Sequence, residues 1–353
     1  MTRGTAVRGL LVAASAIALV VSLAACTSKS DNAASADEGD GDLSTVQVAL
    51  VSGGSHPYFQ PWKEWGEKAA ADFGLGGTTF NETAEWDQAK QNEVVNSLAA
   101  QGYNAFGIFG VSPTDINTTF KKLKDQGFAV GSIASCPAGD VNEADFCLST
   151  DTEVAAYKAA QAAIEAMGGT GTLVHLTGNN VDANTQRRIK GVEKAVEETG
   201  GAVTLLPPVT DIDKDLSTAQ KAVADLLAAK GTEINGFVST AYNPAVASAS
   251  LVKESGLPIK VVAIDDDQVI LDGIKDGSVS ATVVQNPGGQ AYVGSWVLAS
   301  LQSGACTVND PGVIVDSGSF IVDQANVDTY DDERQAESDK ILKQFQDELL
   351  TCK

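Results

Sequence analysis

The chain has 353 residues, a formal net charge of −22 and 43% hydrophobic residues. That apolar content suits a folded globular protein with room for two domains, and not a disordered one. The acidic balance argues against a nucleic-acid partner, whose phosphates would be repelled, and against a basic membrane-surface helix.

The N-terminus has the form of an export signal. Arg3 and Arg8 precede an apolar run over residues 10–23, too short and too rich in small residues for a membrane span. The run ends in Leu23-Ala24-Ala25-Cys26, which resembles a bacterial lipobox. That resemblance implies a leader over residues 1–26, cleaved so that Cys26 becomes a lipidated N-terminus, anchored by its acyl chains. An ordinary secretory leader and an uncleaved anchor are the alternatives. Residues 27–44 are dominated by Ser, Asn, Ala, Asp and Gly and read as a disordered tether. The acidic stretch from Asp37 to Asp42 lacks the fixed ligand spacing of a calcium loop.

Beyond Cys26 there remain Cys136, Cys147, Cys306 and Cys352. An even number in an exported chain favours disulfides, with three pairings open. The preferred one joins Cys136 to Cys147, closing a short loop, and Cys306 to Cys352. Close Cys or His pairs of the zinc-binding kind are absent from the sequence, and no metal is expected.

After the tether, strand and helix patterns alternate. A strand over 46–51 ends in Ser52-Gly53-Gly54, and a helix over 60–73 places Trp62, Trp65, Ala69 and Phe73 on one face. Strands follow at 105–109 and 128–133, with a helix over 113–126 between them that has Pro at its start and Gly127 at its end. A helix over 152–167 closes at Gly168-Gly169. In the second half, strands at 172–176, 203–206, 236–239, 261–264 and 281–284 alternate with helices at 184–198, 216–229, 244–254 and 268–276. Short continuous apolar strands between helices indicate parallel sheets covered on both faces. The fold class is therefore α/β, with two doubly wound parallel-sheet lobes whose strand-end loops face a cleft.

Several segments, in this order, resemble the ribose- and galactose-type periplasmic solute-binding proteins (type I) from about Val46 to Tyr330. They are Ser55-His56-Pro57-Tyr58-Phe59 after the first strand, Gly110-Val111-Ser112-Pro113-Thr114-Asp115, and Val262-Ala263-Ile264-Asp265. Thr282-Val283-Val284-Gln285-Asn286-Pro287 and Gly318-Ser319-Phe320-Ile321-Val322 with Asn326-Val327-Asp328 complete the set. The resemblance implies three crossovers between lobes, near Thr150, Gln285 and Asp316. The first lobe would then comprise 45–150 plus 285–316, and the second 151–284 plus 317–353 with a C-terminal helix. It also implies the role of ligand catcher for an ABC permease driven by a cytoplasmic ATPase.

Sugar sites stack aromatic rings on the apolar face of the sugar and bond its hydroxyls with planar or charged groups. Tyr58 and Phe59 suit the stacking role, although either could be core beneath the first helix. His56 could donate to a hydroxyl, or be a plain surface residue. Asp265, at a strand end, can accept two hydroxyl hydrogens; the alternative is a helix cap, for which Asp266 and Asp267 are better placed. Gln285 would reach the ligand from the hinge with both donor and acceptor. Tyr242 and Asn243 stand where the family offers an Asn-Asp pair. Gln186 aligns with the family's Arg, and Arg188 follows two residues later on the same helix, where a structural ion pair is the alternative. Ser135-Cys136 replaces an Asp-Arg pair of many members, so Ser135 implies a different set of hydroxyls read, as in a deoxysugar or polyol.

Enzyme signatures are absent: there are two histidines, His56 and His175, and the second lies in an apolar strand as a core residue would. The segment from Asp211 to Asp215 begins like an EF-hand loop but carries Leu216 and Ala222 where Gly and Glu are required. The reading is a non-enzymatic, cofactor-free, monomeric binder of a sugar or polyol, anchored by lipid outside the cell membrane. A sugar-sensing receptor for a membrane signalling protein is the rival.

Overall fold

Runs such as Val48-Ala49-Leu50-Val51 and Val261-Val262-Ala263-Ile264 have no polar face, so they pack only where helices cover both sides of a sheet. The computed structural model describes residues 41–353, and the expected leader, Cys26 and the tether up to residue 40 lie outside the described residues. Residues 41–44, which the sequence reading gives to the tether, are bound to the folded body. Gly41 N–H donates to Ser303 O at 3.0 Å, and Leu43 packs on the first-lobe core.

The first half runs β1 (Gln47–Ser52), α1 (Pro61–Phe73), β2 (Gly77–Glu82), α2 (Gln88–Ala100), β3 (Ala105–Ile108), α3 (Ile116–Asp125), β4 (Ala129–Ile133) and β5 (Phe146–Ser149). The second runs α4 (Thr152–Ala166), β6 (Gly171–Leu176), α5 (Ala183–Glu197), β7 (Val203–Leu205), α6 (Leu216–Lys230), β8 (Gly236–Ser239), α7 (Tyr242–Ser255), β9 (Lys260–Ile264), α8 (Gln268–Asp276) and β10 (Ala281–Gln285). The chain ends with α9 (Pro287–Gln302), β11 (Cys306–Val308), β12 (Val313–Asp316), β13 (Ser319–Val322), α10 (Tyr330–Gln344) and β14 (Leu350–Cys352).

One six-stranded sheet has the order β12-β5-β4-β3-β1-β2, and its pairings are parallel. The other has the order β13-β10-β9-β8-β6-β7, parallel except where β13 returns antiparallel to β10. Each sheet carries apolar clusters on both faces. The fold is the expected α/β pair of doubly wound lobes. Helix starts follow side-chain chemistry: Asp151, Asp182 and Asp215 each accept backbone N–H bonds from the first turn of α4, α5 and α6. The helix expected from Pro113 starts later, at Ile116, because Ser112–Asp115 forms a turn in which Ser112 Oγ accepts from Asp115 N–H at 3.1 Å.

Chain crossings fall between β5 and α4, between β10 and α9, and between β12 and β13. Gln290 of α9, fully buried, ties them together: its Nε2 donates to Ser317 Oγ at 2.8 Å and lies 3.4 Å from Thr150 Oγ1. Ser317 N–H also donates to Ser149 O at 3.0 Å.

The sequence reading groups residues 317–353 with the second lobe, and the structure divides them. Tyr330 and Val327 pack on the second-lobe core. Ile341, Phe345 and Leu350 are buried in the first, where Phe345 meets Phe146 at 5.5 Å between ring centroids. Burying such a ring contributes about 2–3 kcal/mol, which draws the C-terminus to the first lobe. There β14 pairs with β11, and the Cys306–Cys352 disulfide closes the pairing with Cα atoms 4.0 Å apart. The second disulfide joins Cys136 to Cys147 at 5.6 Å between Cα atoms.

Sequence separations of 46 and 11 residues set different loop entropies for the two disulfides. In the chain-entropy account, losing Cys306–Cys352 costs about 4 kcal/mol and losing Cys136–Cys147 about 3 kcal/mol. Denaturant unfolding of the paired Cys→Ser variants should show the larger loss for Cys306→Ser/Cys352→Ser. Equal or reversed losses would contradict the assignment of the C-terminus as a long-range staple of the first lobe.

Candidate functional site

The strand ends of the two sheets meet around a small set of side chains. After β1, His56 starts a helical turn by accepting Tyr58 N–H at Nδ1, at 3.2 Å. That acceptor role leaves Nε2 to carry the ring proton in the neutral form. Nε2 lies 3.5 Å from Asp213 Oδ2 of the second lobe, and the His56 ring meets that of Tyr242 edge-on at 5.8 Å. The two lobes therefore touch across the cleft.

Asp265 follows β9 in a left-handed backbone conformation (φ 65°) that turns its side chain into the protein, where it is 6% exposed. The turn is held by Asp265 N–H donating to Val283 O at 2.9 Å and by Thr282 Oγ1 donating to Asp265 O at 2.7 Å. Gln285, the last residue of β10, donates from Nε2 to Asp265 Oδ1 at 2.8 Å. Burial pushes the Asp265 carboxyl up to about 7, and the neighbouring Asp266 charge adds to the push. The Gln285 hydrogen bond and the charges of Arg188 and His56 oppose it. Arg188, on α5, is the second polar group of interest: its Nε is buried with no hydrogen-bond partner among the described residues. A buried donor left unpaired costs about 1–3 kcal/mol and is a natural point of ligand attachment.

Asp265 is not the helix cap. Asp267 caps α8 by accepting Val269 N–H at 2.8 Å, and it also accepts from Tyr242 OH at 2.8 Å. Asn243 is held rather than free: Asp213 Oδ1 accepts its N–H at 2.8 Å, and its Nδ2 donates to Asp213 O at 2.9 Å. Tyr58 OH donates to Gln290 Oε1 at 3.0 Å, so this residue links the first lobe to the hinge. Its hydroxyl pKa is raised by burial and by the Asp265 charge.

Two expected site residues, Gln186 and Ser135, bond away from Asp265, and a third, Phe59, is a buried ring beside His56 and Trp86. Phe59, expected as a stacking face, is 2% exposed and packs into the first core against Trp62 at 5.0 Å. Gln186, aligned with the family's Arg, is exposed, and its Nε2 donates to Asn180 O at 2.5 Å in the loop before α5. Ser135 is buried beside the Cys136–Cys147 disulfide; its carbonyl accepts from Ser132 Oγ at 2.6 Å, and its side chain makes no hydrogen bond to the Asp265 group. His175, read as core, is 1% exposed and pairs with Thr240 Oγ1 at 2.6 Å.

Two participants were not foreseen. Trp86 is 44% exposed, lies 6.4 Å from the His56 ring and 6.0 Å from Phe109, and covers Gly53 and Gly54. A Cβ on Gly54 would stand 2.4 Å from the indole, so only glycine admits the ring there. The Gly53-Gly54 pair after β1 was the available signal, but its partner comes 32 residues later and is visible only in three dimensions. Asp213 lies in the loop that the failed EF-hand pattern drew attention to, yet its actual partners are His56 and Asn243. Among the described residues, no cluster of His, Cys, Asp or Glu could hold a metal ion, and no helix is long and apolar enough to cross a membrane.

Two parallel-sheet lobes, three crossings and polar groups gathered at the facing strand ends define a two-lobed small-molecule binder. The chain belongs to the periplasmic binding protein domain family, whose description matches residues 48–305. Over 237 residues it is 24% identical to the ribose import binding protein of Bacillus subtilis (strain 168), covering 67% of this chain and 75% of that protein. Its fold matches a D-allose-bound solute-binding protein from Actinobacillus succinogenes 130z with a TM-score of 0.73 and 18% identity, covering 81% of this chain and 100% of that one. A sugar-binding protein from Bacillus halodurans gives a TM-score of 0.70 at 22% identity, covering 81% and 99%.

The raised Asp265 pKa has a thermodynamic consequence. A carboxyl whose folded value lies near 7, above its ordinary 3.8, stabilises the fold below pH 3.8 and loses that contribution as pH rises through 7. Thermal unfolding of the ligand-free protein should therefore show a fall in Tm between about pH 4 and 7 that Asp265→Asn diminishes. An unchanged slope in Asp265→Asn would rule out the buried carboxyl as its source.

Proposed function

We propose that this chain is the extracytoplasmic solute-binding component of an ABC importer, capturing a sugar or polyol between its lobes and presenting it to a membrane permease. The observation that carries this reading is the buried Asp265–Gln285 pair, under the charge of Arg188, whose buried Nε has no hydrogen-bond partner among the described residues. A carboxylate that accepts and a guanidinium that donates match ligand hydroxyls, which do both. Trp86, His56 and Tyr242 add ring surface at the cleft, suited to the apolar face of a sugar. The names of the relatives point the same way, since they include binding proteins for ribose and for D-allose.

Within this reading Asp265, Arg188 and Gln285 bond the ligand, and Trp86 stacks on it. His56 and Tyr242 close over it, Asn243 and Asp213 brace that closure, and Tyr58 relays it to the hinge. Cys26, in its lipobox context, carries the lipid that holds a monomeric body at the outer face of the cell membrane.

A thermal-shift panel of pentoses, hexoses, deoxysugars and polyols tests the ligand class. A cognate ligand at 100 times its Kd adds about 2.7 kcal/mol of stability, enough for a clear rise in Tm. Asp265→Ala should weaken binding by roughly 10- to 100-fold, the worth of a charge-assisted hydrogen bond. Trp86→Ala should weaken it about 3- to 10-fold with little change in the Tm of the free protein. No response across the panel would sink the ligand class, and normal uptake in a deletion strain would sink the transport role.

A further inference from the structure

Three consecutive aspartates follow β9, and they have three different partners. Asp265 faces Gln285, Asp267 caps α8, and Asp266 is held by Arg334 of α10, whose Nη1 lies 3.0 Å from Asp266 Oδ2. Tyr330 OH lies 3.3 Å from the same oxygen. The Arg334 guanidinium stands 5.7 Å from the Trp65 ring centroid of α1 and 5.6 Å from that of Tyr330, both within cation–π range. Its other arm binds Asp331 at 2.6 Å. Arg334 is only 19% exposed, so the pair with Asp266 is shielded from solvent far more than an ordinary surface pair.

The helix that carries Arg334 is tied to the hinge and to both lobes. Ser338 Oγ donates to Arg334 O at 2.9 Å and accepts from Asn286 Nδ2 at 2.9 Å, where the chain crosses from β10 to α9. The C-terminal end of α10 is buried in the first-lobe core, and Tyr330 at its start packs on the second. A first-lobe aromatic and a hinge-bound helix thus reach the residue next to the cleft carboxylate.

We propose that Arg334 is a positioning residue for ligand capture: from its seat on Trp65 it pins Asp266 and so holds the turn that aims Asp265 into the cleft. This rests on Asp265 being the ligand-bonding carboxylate. The groups facing Asp265 are Gln285 from β10, Arg188 from α5, His56 and Tyr58 from the turn after β1, Tyr242 from α7, and Asp266 beside it. Of these, Asp266 adds a negative charge that Arg334 holds in place, so releasing Asp266 changes how readily Asp265 ionises.

The test reads the Asp265 carboxyl directly, by NMR titration of the ligand-free protein with carbon-13-labelled aspartate, the signal assigned with Asp265→Asn. Arg334→Gln should move the midpoint up by roughly half a unit or more, as expected when a neighbouring negative charge loses its counter-ion. Arg334→Lys, which keeps the charge, should recover at least part of that shift. In an Asp266→Asn background the effect of Arg334→Gln should shrink to half or less. The proposal is overturned if Arg334→Gln leaves the midpoint where it was, or if its shift is undiminished without the Asp266 charge. Should Arg334→Gln not fold, Asp266→Asn alone decides: a lowered midpoint supports the coupling, and an unmoved one removes it. The titration needs no ligand, so a sugar panel without a hit would count against the proposed function and not against this one.

Discussion

The Asp265 carboxyl lies almost out of water, and one Gln285 amide is its direct hydrogen-bond donor. An ionised carboxylate in such a place is costly unless donors surround it, and here the protein supplies fewer than the group can accept. The Arg188 charge acts on it, and the buried Nε of Arg188 has no hydrogen-bond partner among the described residues. Two incompletely satisfied groups of opposite sign, brought together by different elements, form a site that a hydroxylated molecule would complete. The left-handed turn at Asp265 and the strand end at Gln285 exist in this geometry because β9 and β10 are adjacent parallel strands, registered so that Val283 faces Ile264.

The same strand ends also control how the lobes are joined. Gln290 sits on a helix that is buried over most of its length, and it gathers Thr150, Ser317 and Tyr58 at the crossings. A buried network of this kind is stable only when its members are satisfied together, so a change in one crossing is felt by the others. Tyr58 is thereby committed to the hinge, while Trp86 keeps a partly exposed ring that rests against the glycines after β1.

Departures from the sequence reading have local causes. α9 was invisible because a helix buried all round has no polar face to set a 3.6-residue rhythm. β2, Gly-Thr-Thr-Phe-Asn-Glu, is a partly exposed edge strand with no apolar run to mark it. Phe59 and Tyr58 are neighbours with the same composition signal, yet one enters the core and the other reaches Gln290. Gln186 and Arg188 stand two positions apart on α5, so the helix turns them to different faces. The C-terminal segment belongs to both lobes because its apolar residues are split between Tyr330 at one end and Ile341 and Phe345 at the other.

Features carried by short stretches of strong local pattern were legible before folding. Continuous apolar runs specified buried parallel strands, and the order of the strand-end segments specified the two-lobed family. Asp265 and Gln285 were legible for the same reason, since a polar residue closing an apolar strand must emerge at its carboxyl end. Pairings between distant residues needed the folded chain: Trp86 on Gly53 and Gly54, His56 against Asp213, Arg334 on Asp266, and the C-terminus on the first lobe. These depend on how far two lobes approach and which side chain wins a shared space, and no spacing along the chain encodes that distance.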